Sequence, residues 1–231
     1  TIVNSDALKD HYTKLLRINK NYPLKVINNG CDFNFNISKS VIEIRHELNL
    51  HPSEFFVLMA ARLDPWKDFS TLFESSKILK EKDASIRIII MGDGPLKSEI
   101  KKSIISAKLE DTILLIGEKV DSINYINACD ISILSTHGEG FSNTILESMF
   151  LKKPVVATRV GGNIDMIGDS NNYGFLVQPK SAGELAEKIL LCRNNITHSV
   201  QVGSNANEKI VEMCSISKYI DEYESIFLKA N

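Results

Sequence analysis

What most limits the fold of this chain is an alternation. Eight short runs rich in β-branched and large apolar residues are separated by longer stretches with apolar residues at three-to-four spacing. The runs are Thr1–Val3, Leu24–Ile27, Phe55–Met59, Ile86–Met91, Thr112–Ile116, Ile131–Leu134, Pro154–Ala157 and Gly174–Val177. Strands that alternate with helices form a parallel sheet with helical crossovers. Runs such as IRIIIM and TILLI are apolar without a period of two, as strands covered by helices on both faces should be. The expected fold class is α/β, a Rossmann-like doubly wound parallel sheet.

The clearest helical stretches are FSTLFESSKILKEK (69–82), LKSEIKKSIISAK (96–108), SNTILESMFLKK (142–153) and AGELAEKILLCRN (182–194). TIVNSDAL at the start reads as a strand and a capped helix, as though the chain were entered partway through a larger protein. Ser215 to Lys229 reads as a last amphipathic helix with Tyr219, Tyr223 and Phe227 on one face. With 43% hydrophobic residues among 231 there is material for a substantial core. A net charge of −2 gives no reason to expect nucleic acid as a partner. No apolar run is long enough to span a membrane and no signal peptide is evident, so membrane association is expected to be peripheral at most. Cys31, Cys129, Cys192 and Cys214 match no metal or redox spacing and read as scattered thiols in a reducing cytoplasm.

In an open α/β sheet ligands bind beyond the carboxyl ends of the strands. Three unusual stretches fall at such places. AARLDPWKD follows Phe55–Met59 and carries Arg62 and Lys67, which suit a diphosphate: a guanidinium can fork across two oxygens while an ammonium acts as a point charge. The plain alternative is two solvated loop charges. MGDGP follows Ile86–Ile90; Gly92 and Gly94 let backbone approach a ligand, and Pro95 suits the first turn of a helix. Otherwise it is only a turn. STHGEGFSNTILE follows Ile131–Leu134. Ser142 or Asn143 can cap the next helix, whose start favours an anion. Glu147, one turn in, is placed to accept hydrogen bonds from a vicinal diol such as a ribose. Glu139 sits ahead of it between glycines that leave room for a ligand. Two carboxylates so placed would read two sugars on either side of a diphosphate; the bland reading is an exposed helix residue and a loop charge. His137 reads as a structural loop histidine.

At these residues the chain resembles the retaining glycosyltransferases of family 4, which have the GT-B fold of two facing Rossmann-like domains. VINNGCD (26–32) resembles V-I-P-N-G-V-D, and AARLDPWKD (60–68) resembles G-R-L-x-x-x-K-G. MGDGP (91–95), LLIGEKV (114–120), CDISILSTHGEGFSNTILESM (129–149) with its E-x7-E, and KKPVVATRVGGNIDMI (152–167) follow in family order. The resemblance implies that Arg62 and Lys67 hold the donor diphosphate, Glu147 the ribose and Glu139 the transferred sugar. It places Phe141, Ser142, Asn143 and Thr144 against sugar and phosphate, and Gly117, Lys119 and Val120 against the base. The donor would be a UDP- or GDP-sugar, the acceptor a carbohydrate or lipid-linked carbohydrate. No metal or other cofactor is implied, since cations and a helix end can stabilise the departing nucleoside diphosphate.

Three departures stand out: Asp68 for Gly, Asn28 for Pro, and Asn163-Ile164-Asp165 for Ile-Pro-Glu. The resemblance also lacks a first domain, the family's acceptor side. Residues 1–24 are expected to be its remnant and the crossover, 25–214 the nucleotide-sugar domain, and 215–231 a helix that packs back toward the missing domain. The reading is the donor-binding part of a cytoplasmic, or inner-membrane-peripheral, hexosyltransferase for bacterial-type surface polysaccharide or lipopolysaccharide, with the fragment alone turning over little sugar. Alternatives are a sugar-nucleotide 2-epimerase of the same fold, or a non-catalytic nucleotide-binding accessory subunit.

Overall fold

Every residue of FFVLMA is buried, and that fixes the centre of the molecule. In the computed structural model, which describes residues 1–17 and 24–229, this segment is β3 (Phe55–Ala60), the third of eight strands. It pairs in parallel with β4 (Ile86–Met91) on one side and β6 (Ile131–Leu134) on the other. With β5 (Ile113–Gly117), β7 (Val155–Thr158) and β8 (Phe175–Val177) they form one six-stranded parallel sheet of order β5-β4-β3-β6-β7-β8. β1 (Ile2–Val3) and β2 (Lys25–Val26) make a separate parallel pair.

The run without a period of two is explained by its two covers. Val57 and Met59 face a core with Leu72 and Leu79 of α3 (Phe69–Lys82) and Leu185 and Ile189 of α8 (Ala182–Asn194). Phe56 and Leu58 face a second core with Ile44 of α2 (Val41–Glu47) and Tyr125 and Ile126 of α5 (Ser122–Ala128). Removing both strand faces from water is the main favourable term.

The remaining helices are α1 (Asp6–Leu15), α4 (Lys97–Ser106), α6 (Asn143–Phe150), α7 (Gly161–Ile167), α9 (Ile196–Cys214) and α10 (Ile216–Lys229). α4 starts two residues after Pro95, so that proline lies in the preceding turn and not in the helix's first turn as expected. α6 starts at Asn143, with Ser142 as the cap. α1 crosses to α7, where Asp165 accepts a hydrogen bond from the Ala7 N–H at 3.3 Å. α10 runs back along β2: Lys25 Nζ donates to the Glu222 carbonyl at 3.2 Å, and Tyr219 lies against Gly30. Of the segment expected to be the crossover, residues 18–23 lie outside the described residues. Among the described residues no helix is long and apolar enough to cross a membrane.

Candidate active site

The sheet order places the site. The chain adds β4 and β5 on one side of β3, then returns to add β6, β7 and β8 on the other. The connections therefore diverge between β3 and β6 and leave a crevice at their carboxyl ends. The loops after these two strands are the ones carrying Arg62, Lys67 and Glu139, and they are stitched together. Lys67 bridges Thr136 in antiparallel fashion, the Asp68 N–H donates to the Ser135 carbonyl at 3.0 Å, and Thr144 Oγ1 donates to the Ala60 carbonyl at 3.0 Å. Asp68, the departure from glycine, is buried and caps α3 by accepting from the Thr71 N–H at 3.0 Å.

The glycines serve this stitching. A Cβ on Gly92 would stand 2.0 Å from the Ala61 carbonyl oxygen, and one on Gly94 2.5 Å from that of Leu63. Both have positive φ, 145° and 156°. The turn after β4 thus needs glycine to lie on the turn after β3, whatever a ligand requires. Gly161 and Gly162 do the same for Glu139: their Cβ atoms would meet the carbonyl oxygens of Glu139 and Gly140 at 1.9 and 1.7 Å, and the Gly162 N–H donates to the Glu139 carbonyl at 2.9 Å.

Two cavities open from this crevice, and the two glutamates fall in different ones. The first, of about 510 Å³, is lined by Arg62, Gly92, Gly94, Lys119, Thr144 and Glu147, among others. Burial pushes the Glu147 carboxyl above the usual carboxylate range, and among the described residues no hydrogen bond reaches that carboxylate. Arg62 is 74% exposed and 3.7 Å from Asp64. Lys119 is held by Glu47 at 3.3 Å and lies 5.3 Å from the Tyr125 ring centre. Hydrogen bonds from Tyr125 and Lys39 hold Glu47 down to about 2.

The second cavity, of about 620 Å³, contains Trp66, Lys67, His137 and Glu139, with Leu8 and His11 of α1 on its far wall. Lys67 Nζ donates to Glu139 Oε2 at 2.6 Å, with both side chains largely buried. His137 Nδ1 is 3.8 Å from Asp68 Oδ2, and its N–H donates to the Trp66 carbonyl. Between the cavities stands the start of α6: Ser142 Oγ accepts from the Ile145 N–H at 3.3 Å, Phe141 is buried and Asn143 is exposed.

Of the sequence-derived residues, Arg62, Gly92, Gly94, Lys119, Thr144 and Glu147 share the first cavity, and Lys67 and Glu139 share the second. Arg62 and Lys67, five residues apart on one loop, line different cavities. Val120 is fully exposed, and Gly117, at φ 73°, ends β5. Asp165 supports α1, and Asn163 is buried, donating to the Thr158 carbonyl at 2.9 Å. His11 and Trp66 were not singled out from sequence as site residues. The chain's one tryptophan, falling between Arg62 and Lys67, was the available signal; His11 had none. Among the described residues no cluster of three or more His, Cys, Asp or Glu side chains is placed to hold a metal.

The sequence profile of the family "Glycosyl transferases group 1" matches residues 40–209, about three-quarters of the chain. The chain belongs to that family. Its sheet matches the Rossmann-like C-terminal domains of GT-B glycosyltransferases. Poly(ribitol-phosphate) alpha-N-acetylglucosaminyltransferase of Staphylococcus aureus (strain COL) is 28% identical over 194 residues, 84% of this chain and 39% of that protein. The capsular polysaccharide biosynthesis glycosyltransferase CapM of Staphylococcus aureus is 25% identical over 201 residues, 86% of this chain and 52% of that protein. The crystal structure of Anabaena HepE in complex with UDP and glucose superposes with a TM-score of 0.86 at 26% identity, over 97% of this chain and 62% of that one. This glycosyltransferase domain thus spans less than two-thirds of the length of each of these three relatives.

Proposed function

We propose that the chain is the donor-binding half of a retaining, family 4 type glycosyltransferase. It would transfer a hexose from a nucleoside-diphosphate sugar to a carbohydrate or lipid-linked acceptor, without metal, in cytoplasmic synthesis of surface polysaccharide. The observation that carries this reading is that Glu147 lines one cavity together with Arg62, while Glu139 lines the other together with Lys67. A nucleoside fits the first, with the ribose hydroxyls donating to Glu147. A sugar fits the second, against Glu139. The diphosphate between them meets Arg62, Lys67 and the N–H groups at the start of α6.

The chemistry follows from charge. As the sugar–oxygen bond breaks, negative charge builds on the diphosphate, and fixed cations and oriented N–H groups lower the energy of that state. Lys67 is bound to Glu139 beforehand. A donor entering the cavity exchanges that pair for a phosphate–lysine contact and a hydroxyl–carboxylate contact, so both charges stay paired throughout. The HepE complex with UDP and glucose and the polysaccharide role of CapM support the ligand class and the pathway.

Titration calorimetry with UDP, GDP and ADP in EDTA checks the reading. At least one should bind with a dissociation constant at or below about 1 mM, near −4 kcal/mol. Failure of all three would overturn it.

A further inference from the structure

Trp66 is the one tryptophan of the chain, and its side chain is two-thirds exposed. Its backbone is held on both sides. The Trp66 N–H donates to Asp64 Oδ1 at 2.9 Å, and its carbonyl accepts from the His137 N–H and from Thr136 Oγ1, both at 2.8 Å. The next residue, Lys67, is bridged to Thr136 and paired to Glu139. The six-membered ring rests near Gly138, 3.7 Å from where a Cβ would stand, so the loop after β6 brings main chain up to the indole. Trp66 also lines the second cavity, with Lys67, His137, Glu139 and His11 around it.

An indole on a fixed backbone has only two torsions to lose when a ligand covers it, so its apolar area is available at small entropic cost. The ring of polar groups narrows what that ligand can be. A flat apolar partner would strip water from Lys67, His137 and Glu139 and return no hydrogen bonds, which is unfavourable for each of them. A pyranose matches both features. Its C–H face covers an aromatic ring, and its hydroxyls point outward, where His137 and His11 line the same cavity.

The geometry points to Trp66 as the platform of a saccharide subsite beside Glu139, occupied by the acceptor sugar. This rests on the reading that Lys67 and Glu139 take up the donor. With those two engaged, Trp66 is the exposed surface of the same cavity that a second sugar meets as it approaches the first.

The single tryptophan makes the test direct. The protein is saturated with UDP and titrated with methyl α-D-glucopyranoside, methyl β-D-glucopyranoside and methyl N-acetyl-β-D-glucosaminide, each to about 100 mM, the range expected of weak saccharide sites. Trp66 emission should change saturably with at least one of them. Saturation-transfer NMR on the same glycoside should show the signal weakened about tenfold or lost in Trp66→Ala and partly kept in Trp66→Phe. UDP affinity by calorimetry should be unchanged in both variants. Emission that none of the glycosides moves, or a glycoside bound equally well by Trp66→Ala, overturns the subsite. The two readings fail separately. A protein that binds no UDP but whose Trp66 responds to glycoside loses the donor assignment and keeps the subsite; one that binds UDP with Trp66 silent does the reverse.

Discussion

Glu147 is a half-buried carboxylate that no hydrogen-bond donor reaches among the described residues, and that makes it costly to keep charged. Its pKa is raised in the folded state, so the sign runs against stability. Below the usual 4.5 both folded and unfolded chains hold the proton and nothing is lost; above the folded pKa the folded protein carries an unrelieved desolvation cost. Glu147→Gln should therefore raise the melting temperature of the unliganded protein at pH 7, with the gain vanishing toward pH 4. The same change should weaken UDP binding roughly ten- to a hundredfold, the worth of a buried hydrogen bond to a charged group. Thermal melts and calorimetry on one variant test both halves, and unchanged UDP affinity would remove Glu147 from the nucleotide site. Glu139 should behave differently because it already has a partner. Glu139→Ala frees Lys67 from its 2.6 Å pair, so affinity for bare UDP should hold or rise while any preference for UDP-glucose over UDP disappears. If Glu139→Ala loses bare UDP as severely as Glu147→Gln does, the two carboxylates do not have separate roles.

Among elements, the turn into α7 has the most specific task. β7 ends at Thr158, and within four residues the chain passes Gly161 and Gly162, whose missing side chains let it lie on the backbone of Glu139 and Gly140. That contact fixes one end of the loop after β6, while the bridge from Lys67 to Thr136 fixes the other. Gly162→Ala would place a Cβ 1.7 Å from the Gly140 carbonyl oxygen, which only movement of main chain can relieve. Overpacking of this kind costs about 1–3 kcal/mol. The displaced segment is the one that carries Glu139, so the expected pattern is a lowered urea midpoint with UDP affinity nearly kept and discrimination for UDP-glucose lost. A variant that loses UDP and UDP-glucose equally would show that the turn supports the whole crevice and not the second cavity alone.

At the scale of the molecule, the two faces of one sheet share β3, so ligand binding at its end should stabilise the chain as a unit. UDP at a hundred times its dissociation constant should add about 2.7 kcal/mol. For a domain of this size that is a rise of roughly 5–10 °C in melting temperature. Calorimetric scans with and without UDP measure it, and two separated transitions of which only one moves would contradict a single cooperative body. Catalysis is a different matter. Holding two reactants in register can supply about 7–11 kcal/mol of a barrier. The chain spans 39% and 52% of the two relatives named above, and among the described residues α1 contributes Ala7, Leu8 and His11 to the lining of the second cavity. We expect the 231 residues to bind donor and transfer little. Rapid transfer of glucose from UDP-glucose to an added methyl glucoside would show that these residues suffice.

The local sequence determined the elements and which polar side chains stand at the strand ends. All eight apolar runs became strands within a residue or two; for the central ones, such as β3, the reason is that a strand buried on both faces must be apolar at successive positions. α3 and α8 run over the segments that their periodicity marked. α9 escaped notice although it is the longest helix described. Its buried stripe includes Ser199, Gly203 and Ala206, small residues that fit a close crossing but carry little hydrophobic signal. The candidate motifs were legible for a related reason, since ligands of an open α/β sheet meet the loops beyond the strand ends, where the cations, carboxylates and glycines of these motifs fall. Which of them meet was not legible. Lys67 and Glu139 are 72 residues apart, and only the placement of β6 beside β3 brings them to 2.6 Å. The same placement puts Glu147 in the other cavity and leaves Trp66 exposed on a pinned backbone, while the pairing of β4 with β3 lays Gly92 and Gly94 on the turn after β3. Those are contacts across the sheet. The local sequence sets which side chains are present, but the order in which the strands lie side by side decides their partners.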